Sequence, residues 1–303
     1  MMHQQLKTYL EQTGLSQSNA AKALGVTKPV LNAYLQNKYQ GSAATIAEID
    51  EKVAAFLRQQ QEKAEIKKLE IPFVATETAE RALGFLNMTH HFGKLGIFYG
   101  GAGTGKTTTL NEYLARNPQC VLIEPDTGFT TRVLLQELCR KLNVSDKGNI
   151  HEMTERVVEC LKGSGRLLMI DEAEWLPLRA LETVRRIQDK SQCGVALAGT
   201  LQLLINLRGA KGELKQLYSR VFTKCDFGER IVDADLRQIA AEVLMTNDDK
   251  VLDKIMQTAQ GNVRKLENLL MLIVHLMQQN RNNPNFKGVN VQLAEHADKY
   301  LMH

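Results

Sequence analysis

Apolar positions along the chain change their spacing several times, and those changes mark out an architecture. Residues 95–98, 120–124, 166–172 and 194–198 are short apolar runs bounded by turn residues, each followed by a stretch with helical spacing, and a fifth run lies near 222–227. Continuous apolar strands alternating with helices predict a parallel sheet covered on both faces. Before this region, residues 77–90 read as an amphipathic helix carrying Ala82, Leu83, Leu86 and Met88. From Asp233 onward the pattern is helical, with Leu266, Leu269, Leu270 and Ile273 at core spacing and Met271 and Met277 expected to fill gaps in the core.

Residues 1–58 read as several short helices. Ser16 is placed to cap a helix that turns Ala20, Ala21 and Leu24 inward, Gly25-Val26 to make a tight turn, and Thr27 to cap a second helix holding Val30, Leu31, Tyr34 and Leu35. That order describes a helix-turn-helix domain or, equally, a small bundle for protein contacts. The polar, low-complexity stretch 59–70, closed by Ile71-Pro72, predicts a linker over 59–72. The expected domains are therefore 1–58, an α/β domain over 73–228 and an all-helical domain over 229–303.

With 303 residues, 44% hydrophobic and 24% charged, the chain suits about two cores of ordinary size. No apolar run approaches the roughly 20 residues of a membrane span, and the first residues lack a signal-peptide core, so a cytoplasmic protein is expected. Cys120, Cys139, Cys160, Cys193 and Cys225 are scattered in apolar surroundings without a paired motif, as reduced core thiols would be. A net charge of +4 permits nucleic-acid binding without demonstrating it.

The chemistry concentrates at the first strand, whose end runs Gly100-Gly101-Ala102-Gly103-Thr104-Gly105-Lys106-Thr107. This is the phosphate-loop spacing G-x-x-x-x-G-K-[ST], between a strand and a helix as its mechanism requires. Glycines let successive N–H groups turn inward around a phosphate, while Lys106 supplies a positive charge and Thr107 a hydroxyl for Mg²⁺. Thr108 opens the helix whose positive end faces the phosphates. Asp171 and Glu172 end the third strand; they are either a metal-holding carboxylate and a general base, or a turn capping the helix near Pro177. Thr200, after the fourth strand, is placed to orient water, whereas His90-His91 lacks any metal spacing.

Together the loop at 100–107, Asp171-Glu172, the polar Thr200, Ser219-Arg220 and Gly261-Asn262-Val263-Arg264 resemble the AAA+ ATPase superfamily. The resemblance implies an α/β P-loop NTPase with a five-stranded parallel sheet, helices on both faces and an all-α lid, using ATP and Mg²⁺. It also implies that Arg220 is a finger completing a neighbouring subunit's site and Arg264 a lid arginine sensing the γ-phosphate; either is otherwise an ordinary ion-pairing arginine. Thr200 departs from the asparagine often found at that position. The N-terminal segment is similar to the helix-turn-helix of phage repressors, which carries Thr27, Lys28, Asn32 and Lys38 over as candidate DNA contacts. The domain order, with runs such as Asn37-Lys38-Tyr39-Gln40-Gly41 and Tyr218-Ser219-Arg220, resembles the phage Mu B transposition protein family. Members bind DNA nonspecifically inside an ATP-dependent oligomer, partly through basic loops; here the corresponding region offers only Lys147, His151 and Arg156.

Three functions remain open on this footing. The first is an ATPase that polymerises on DNA, captures target DNA, hands it to a DDE-type transposase and releases it on hydrolysis. The second is a transcription regulator with a nucleotide-switched helix-turn-helix, which predicts tight binding to one short palindrome rather than length-dependent, salt-sensitive binding. The third is an ATPase of a secretion or assembly machine, which predicts no DNA binding with ATP.

Overall fold

The computed structural model describes residues 2–67, 71–208, 218–281, 286 and 288–301. The chain divides into two compact units at 70/71. The sequence also predicts a helix over 201–218 interrupted by a loop at 208–212; residues 201–208 are helical, while residues 209–217 lie outside the described residues.

The first unit holds helices α1 (Met2–Thr13), α2 (Gln17–Leu24), α3 (Lys28–Leu35) and α4 (Ala43–Lys67). Ser16 accepts a hydrogen bond from the Asn19 N–H, and Gly25 ends α2 in the left-handed conformation, φ 65°. Ala20, Ala21, Leu24, Leu31, Tyr34 and Leu35 are buried together, joined by Ile49, Val53 and Phe56 of α4. Thr27 has the extended backbone of a cap but makes no capping bond through its side chain, contrary to expectation. Pro29 stands at the second helical position and has no N–H to donate, which removes one of the two usual partners of a capping hydroxyl. The polar stretch 59–67 continues α4 as helix, and the division between the units at 70/71 falls inside 59–72. Its Gln, Glu, Lys and Ala residues are good helix formers, and no glycine or proline intervenes before Pro72.

In the second unit, α5 (Glu77–Phe92) leads to β1 (Leu95–Tyr99), α6 (Lys106–Arg116), β2 (Val121–Ile123), α7 (Thr131–Lys141) and α8 (Ile150–Leu161). Then come β3 (Leu167–Ile170), α9 (Leu178–Ser191), β4 (Gly194–Gly199), α10 (Leu201–Arg208) and β5 (Val221–Asp226). The strands form one parallel sheet in the order β2-β3-β4-β1-β5. Side chains alternate between its faces. Phe98, Met169, Ala196 and Ala198 pack with α5, α6 and the C-terminal helices, while Ile97, Ile123, Ile170 and Leu197 pack with α7, α8 and α9. Both faces are covered, which is why the strands read as unbroken apolar runs.

Four helices follow: α11 (Asp233–Leu244), α12 (Asp249–Ala259), α13 (Val263–Gln279) and α14 (Val291–Asp298). Leu266, Leu269, Leu270 and Ile273 are buried as their spacing predicts, and Met277 packs against them. Met271 is instead exposed, because one step beyond Leu270 lies about 100° further around the helix, on its outer face. Buried Asp235 of α11 accepts a hydrogen bond from the Thr78 N–H at 3.2 Å, placing a carboxylate at the positive end of α5. All five cysteines are free thiols, and burial pushes those of Cys120, Cys139, Cys193 and Cys225 above their ordinary values.

Phe98 is fully buried and sits between Phe85 and Phe227, with ring centroids at 5.8 and 4.6 Å. Phe98→Ala is expected to destabilise the second unit by about 3–5 kcal/mol. The check is the shift of its urea midpoint at unchanged m-value.

Candidate active site

The loop after β1 turns because its neighbours leave room only for backbone. The Gly100 N–H donates to the Gly199 carbonyl at the end of β4, and the Gly101 N–H to the Gly228 carbonyl beyond β5, at 3.2 and 2.8 Å. A Cβ on Gly101 would lie 2.2 Å from the Glu229 carbonyl oxygen, a backbone atom with no freedom to yield. Gly103 and Gly105 take φ of 75° and 86°, in the left-handed region. The helical domain closes the third side. Val263 N–H donates to the Gly103 carbonyl at 2.7 Å, and the Asn262 amide reaches the Ala102 carbonyl at 3.4 Å.

Lys106 folds back over this loop, its Nζ donating to the carbonyls of Gly100 and Gly101 at 2.9 and 2.7 Å. Burial pulls its pKa below the usual lysine value, while Asp171, Glu174 and Glu172 work against that shift and Arg264 adds to it. Thr107 Oγ1 donates to Asp171 Oδ2 at 2.6 Å, and the Glu172 N–H to Asp171 Oδ1 at 2.9 Å. The Asp171 N–H in turn donates to the Ile123 carbonyl of β2, so this buried carboxylate is fixed by three elements. A hydroxyl and a carboxylate held this close are hard oxygen donors of the kind Mg²⁺ takes. Among the described residues there is no cluster of three or more His, Cys, Asp or Glu able to bind a metal alone. His90 is engaged at both ring nitrogens, by the Tyr113 hydroxyl and the Gly165 carbonyl.

Beyond Asp171 the chain makes a tight turn, and Glu172 takes the left-handed conformation, φ 44°. Its exposed carboxylate accepts the indole N–H of Trp175, the only tryptophan of the chain, at 3.2 Å. Glu174 turns inward and accepts the Thr200 N–H at 3.0 Å. Lys106, Thr107, Asp171, Glu172, Thr200 and Arg264 thus line one cleft of about 280 Å³, which also contains Glu174, Thr108 and the loop from Ala102 to Gly105. Nothing in the spacing of Glu174 along the sequence says that it folds under β4.

A smaller, mostly apolar pocket adjoins the cleft through Thr104, Gly105 and Val263. Phe73, Phe227 and Ile231 line it, with Glu267, whose carboxyl is raised above its usual range by burial and drawn back partly by Arg264. No local sequence signal marks this pocket, since its walls come from four separate stretches, around 71–79, 104–109, 227–239 and 263–267.

Arg220 lies outside the cleft of its own chain. Its side chain is 60% exposed, with Nε 3.8 Å from Asp189 Oδ1. Thr27, Lys28, Asn32 and Lys38 are exposed in the first unit, with the Asn32 side chain accepting from the Gln36 amide at 3.2 Å. Lys147 and His151 are exposed too. Arg156 is half-buried instead, its guanidinium donating to the Lys147 carbonyl, so it closes the loop after α7 rather than projecting from it.

Residues 90–206 match the AAA domain family. Over 262 residues the chain is 28% identical to the Mu-like prophage FluMu DNA transposition protein B of Haemophilus influenzae, covering 84% of this chain and 88% of that protein. It is 26% identical over 283 residues to the ATP-dependent target DNA activator B of Escherichia phage Mu, covering 88% and 86%. Among solved structures it is similar to the Aeropyrum pernix ORC2 protein in its ADP form, with a TM-score of 0.54 at 15% identity, over 74% of this chain and 67% of that one. Domain III of the Thermotoga maritima replication initiation protein DnaA gives 0.51 at 18%, over 75% and 93%. These structural likenesses speak to the fold, which is AAA+.

Gly101→Ala is expected to abolish nucleotide binding while leaving Lys106, Thr107 and Asp171 in the sequence. Titration with a fluorescent ATP analogue, with circular dichroism to verify folding, checks it.

Proposed function

The chain is a homologue of the Mu-type target DNA activator B proteins with an AAA domain within it, and from that premise we propose that it is an ATPase that assembles on DNA and presents it to a DDE-type transposase. The observation that carries the reading is the convergence of the phosphate loop, Asp171, Glu172, Thr200 and Arg264 on one cleft, in a chain matching those relatives over more than four-fifths of its length.

In this reading ATP lies with its base in the apolar pocket beside Phe73, Phe227 and Val263, and its phosphates along the 280 Å³ cleft. Lys106 exchanges the carbonyls of Gly100 and Gly101 for phosphate oxygens, and the N–H groups at the start of α6 face the same anion. Thr107 and Asp171 hold Mg²⁺, which when bound draws charge from the β- and γ-phosphates. Glu172 takes a proton from the attacking water as its oxygen bonds to the γ-phosphorus and the bond to the bridging oxygen breaks, leaving ADP and phosphate. Thr200 aligns that water. Arg264, carried by α13, binds the γ-phosphate from the lid side, so loss of that phosphate loosens the lid.

Arg220 is exposed, stands beside Asp189 and is not among the residues that line its own cleft, so in this reading it serves the site of an adjoining subunit. Assembly then depends on the γ-phosphate, and DNA is bound largely without regard to sequence. Lys147 and His151, with the exposed face of α3, are the candidate contacts. This protein acts where the transposition reaction occurs, in the bacterial or phage-infected cytoplasm; among the described residues no helix is long and apolar enough to cross a membrane.

Lys106→Ala is expected to eliminate ATP binding and, with it, assembly on long duplex DNA. Glu172→Gln is expected to retain ATP and to give longer-lived assemblies, with hydrolysis lowered at least ~100-fold. Sedimentation and electron microscopy with ATP or ADP on long random duplexes check both. Binding confined to one short palindrome would instead support a transcription regulator.

A further inference from the structure

The segment after β3 places a second glutamate in the cleft, held more firmly than the first. Glu172 lies at the surface, bonded to Trp175. Glu174, two residues on, has turned the other way and is pinned at two points. Its Oε1 accepts the Thr200 N–H at 3.0 Å, and its main-chain carbonyl accepts the Asn206 amide of α10 at 3.0 Å. Its other carboxylate oxygen, Oε2, is buried and has no hydrogen-bond partner.

Gly199 leaves room for that oxygen where it now lies, since a Cβ at 199 would come within 2.2 Å of it. The glycine at the end of β4 therefore leaves space for a carboxylate that reaches across from the neighbouring strand. An ionised carboxylate has capacity for several donors, and leaving one of its oxygens buried and unpaired is costly. Such an oxygen, in a cleft shared with Lys106, Thr107 and Thr200, is an acceptor suited to a donor that arrives with the nucleotide. Protein donors do not supply it. Lys106 is committed to the loop carbonyls, and the Thr107 hydroxyl to Asp171.

We propose that Glu174 is a second functional carboxylate of this ATPase: its Oε1 fixes the Thr200 backbone, and its Oε2 accepts a hydrogen bond from the attacking water and so sets that water's orientation. This rests on the reading of the cleft as an ATP-hydrolysing site. Glu174 does not take the proton. The proton passes to Glu172, and Glu174 leaves the reaction in the state in which it entered. Division of labour follows from placement, since the glutamate at the surface is free to move and the one beneath β4 is anchored.

The test compares Glu174→Gln with Glu172→Gln in the full-length protein, measuring ATP binding directly and kcat and KM for ATP hydrolysis in the presence of Mg²⁺ and duplex DNA. In Glu174→Gln the side-chain carbonyl still receives the Thr200 N–H, while the amide puts a donor where Oε2 was an acceptor. The expected result is a kcat lowered roughly 10- to 100-fold with ATP affinity and KM within about twofold of the parent. Glu174→Ala, which also releases Thr200, is expected to lose at least as much kcat. A Glu174→Gln protein with parental kcat overturns the proposal, as does one that loses ATP affinity in proportion, which would mark a purely structural role. The two readings fail separately. Parental turnover in Glu172→Gln removes the general base, whereas parental turnover in Glu174→Gln alone leaves that base standing and removes the second carboxylate.

Discussion

The structure around the cleft depends on the main chain of residues 100–105 being enclosed by backbone from three directions. Strand β4 accepts from Gly100, the turn after β5 accepts from Gly101, and the lid donates to Gly103. A loop that must present N–H groups to an anion cannot satisfy its own polar groups by secondary structure, so the surroundings must do so. The sheet order makes this possible. With β1 flanked by β4 and β5, both neighbours of the loop end beside it, and crossover helices are what allow such a parallel arrangement.

Hydrogen bonds of the same kind tie the lid to the glycine-rich loop. Val263 and Asn262 touch the loop directly, Ile231 N–H donates to the Gly261 carbonyl at 2.9 Å, and Asp235 holds the start of α5. Arg264 follows Val263 by one residue, so the arginine that faces the cleft is carried by the very turn that closes over Gly103. If Arg264 binds the γ-phosphate as proposed, loss of that phosphate acts on the contacts next to it. Coupling of this kind needs no long pathway, only a lid whose docking residues and proposed sensing residue share one helical turn.

Much of the site was legible because local chemistry dictated local sequence. Glycines at 100–105 answer to close backbone approach and positive φ, and Lys106-Thr107 place an ammonium and a hydroxyl in the same cleft; these requirements fall on consecutive residues. Asp171-Glu172 was legible as the end of an apolar run. The apolar pocket was not, since Phe73, Phe227 and Val263 meet only when the lid folds back, and no window of sequence contains them. Glu174 escaped for a related reason, its partner Thr200 being 26 residues away. Errors in the helical parts arose where a single position outweighed a pattern: Pro29 removed a donor that Thr27 needed, and Met271 followed the core stripe by one step too many.

Charge in the cleft bears on why assembly and nucleotide are linked. Asp171, Glu172, Glu174 and Glu267 line the cleft with Lys106 and Arg264, so four carboxyl groups stand against two cations and this chain alone offers a site that is formally negative. A polyphosphate is itself strongly anionic, and bringing it there is unfavourable unless further positive charge enters with it. A divalent cation at Thr107 and Asp171 answers part of that requirement. In the proposed reading the remainder comes from a guanidinium of an adjoining copy, and Arg220, exposed and not among the residues lining its own cleft, has the chemistry to provide it. On this account each subunit binds the triphosphate incompletely by itself, and the contact that completes the site is also the contact that builds the assembly.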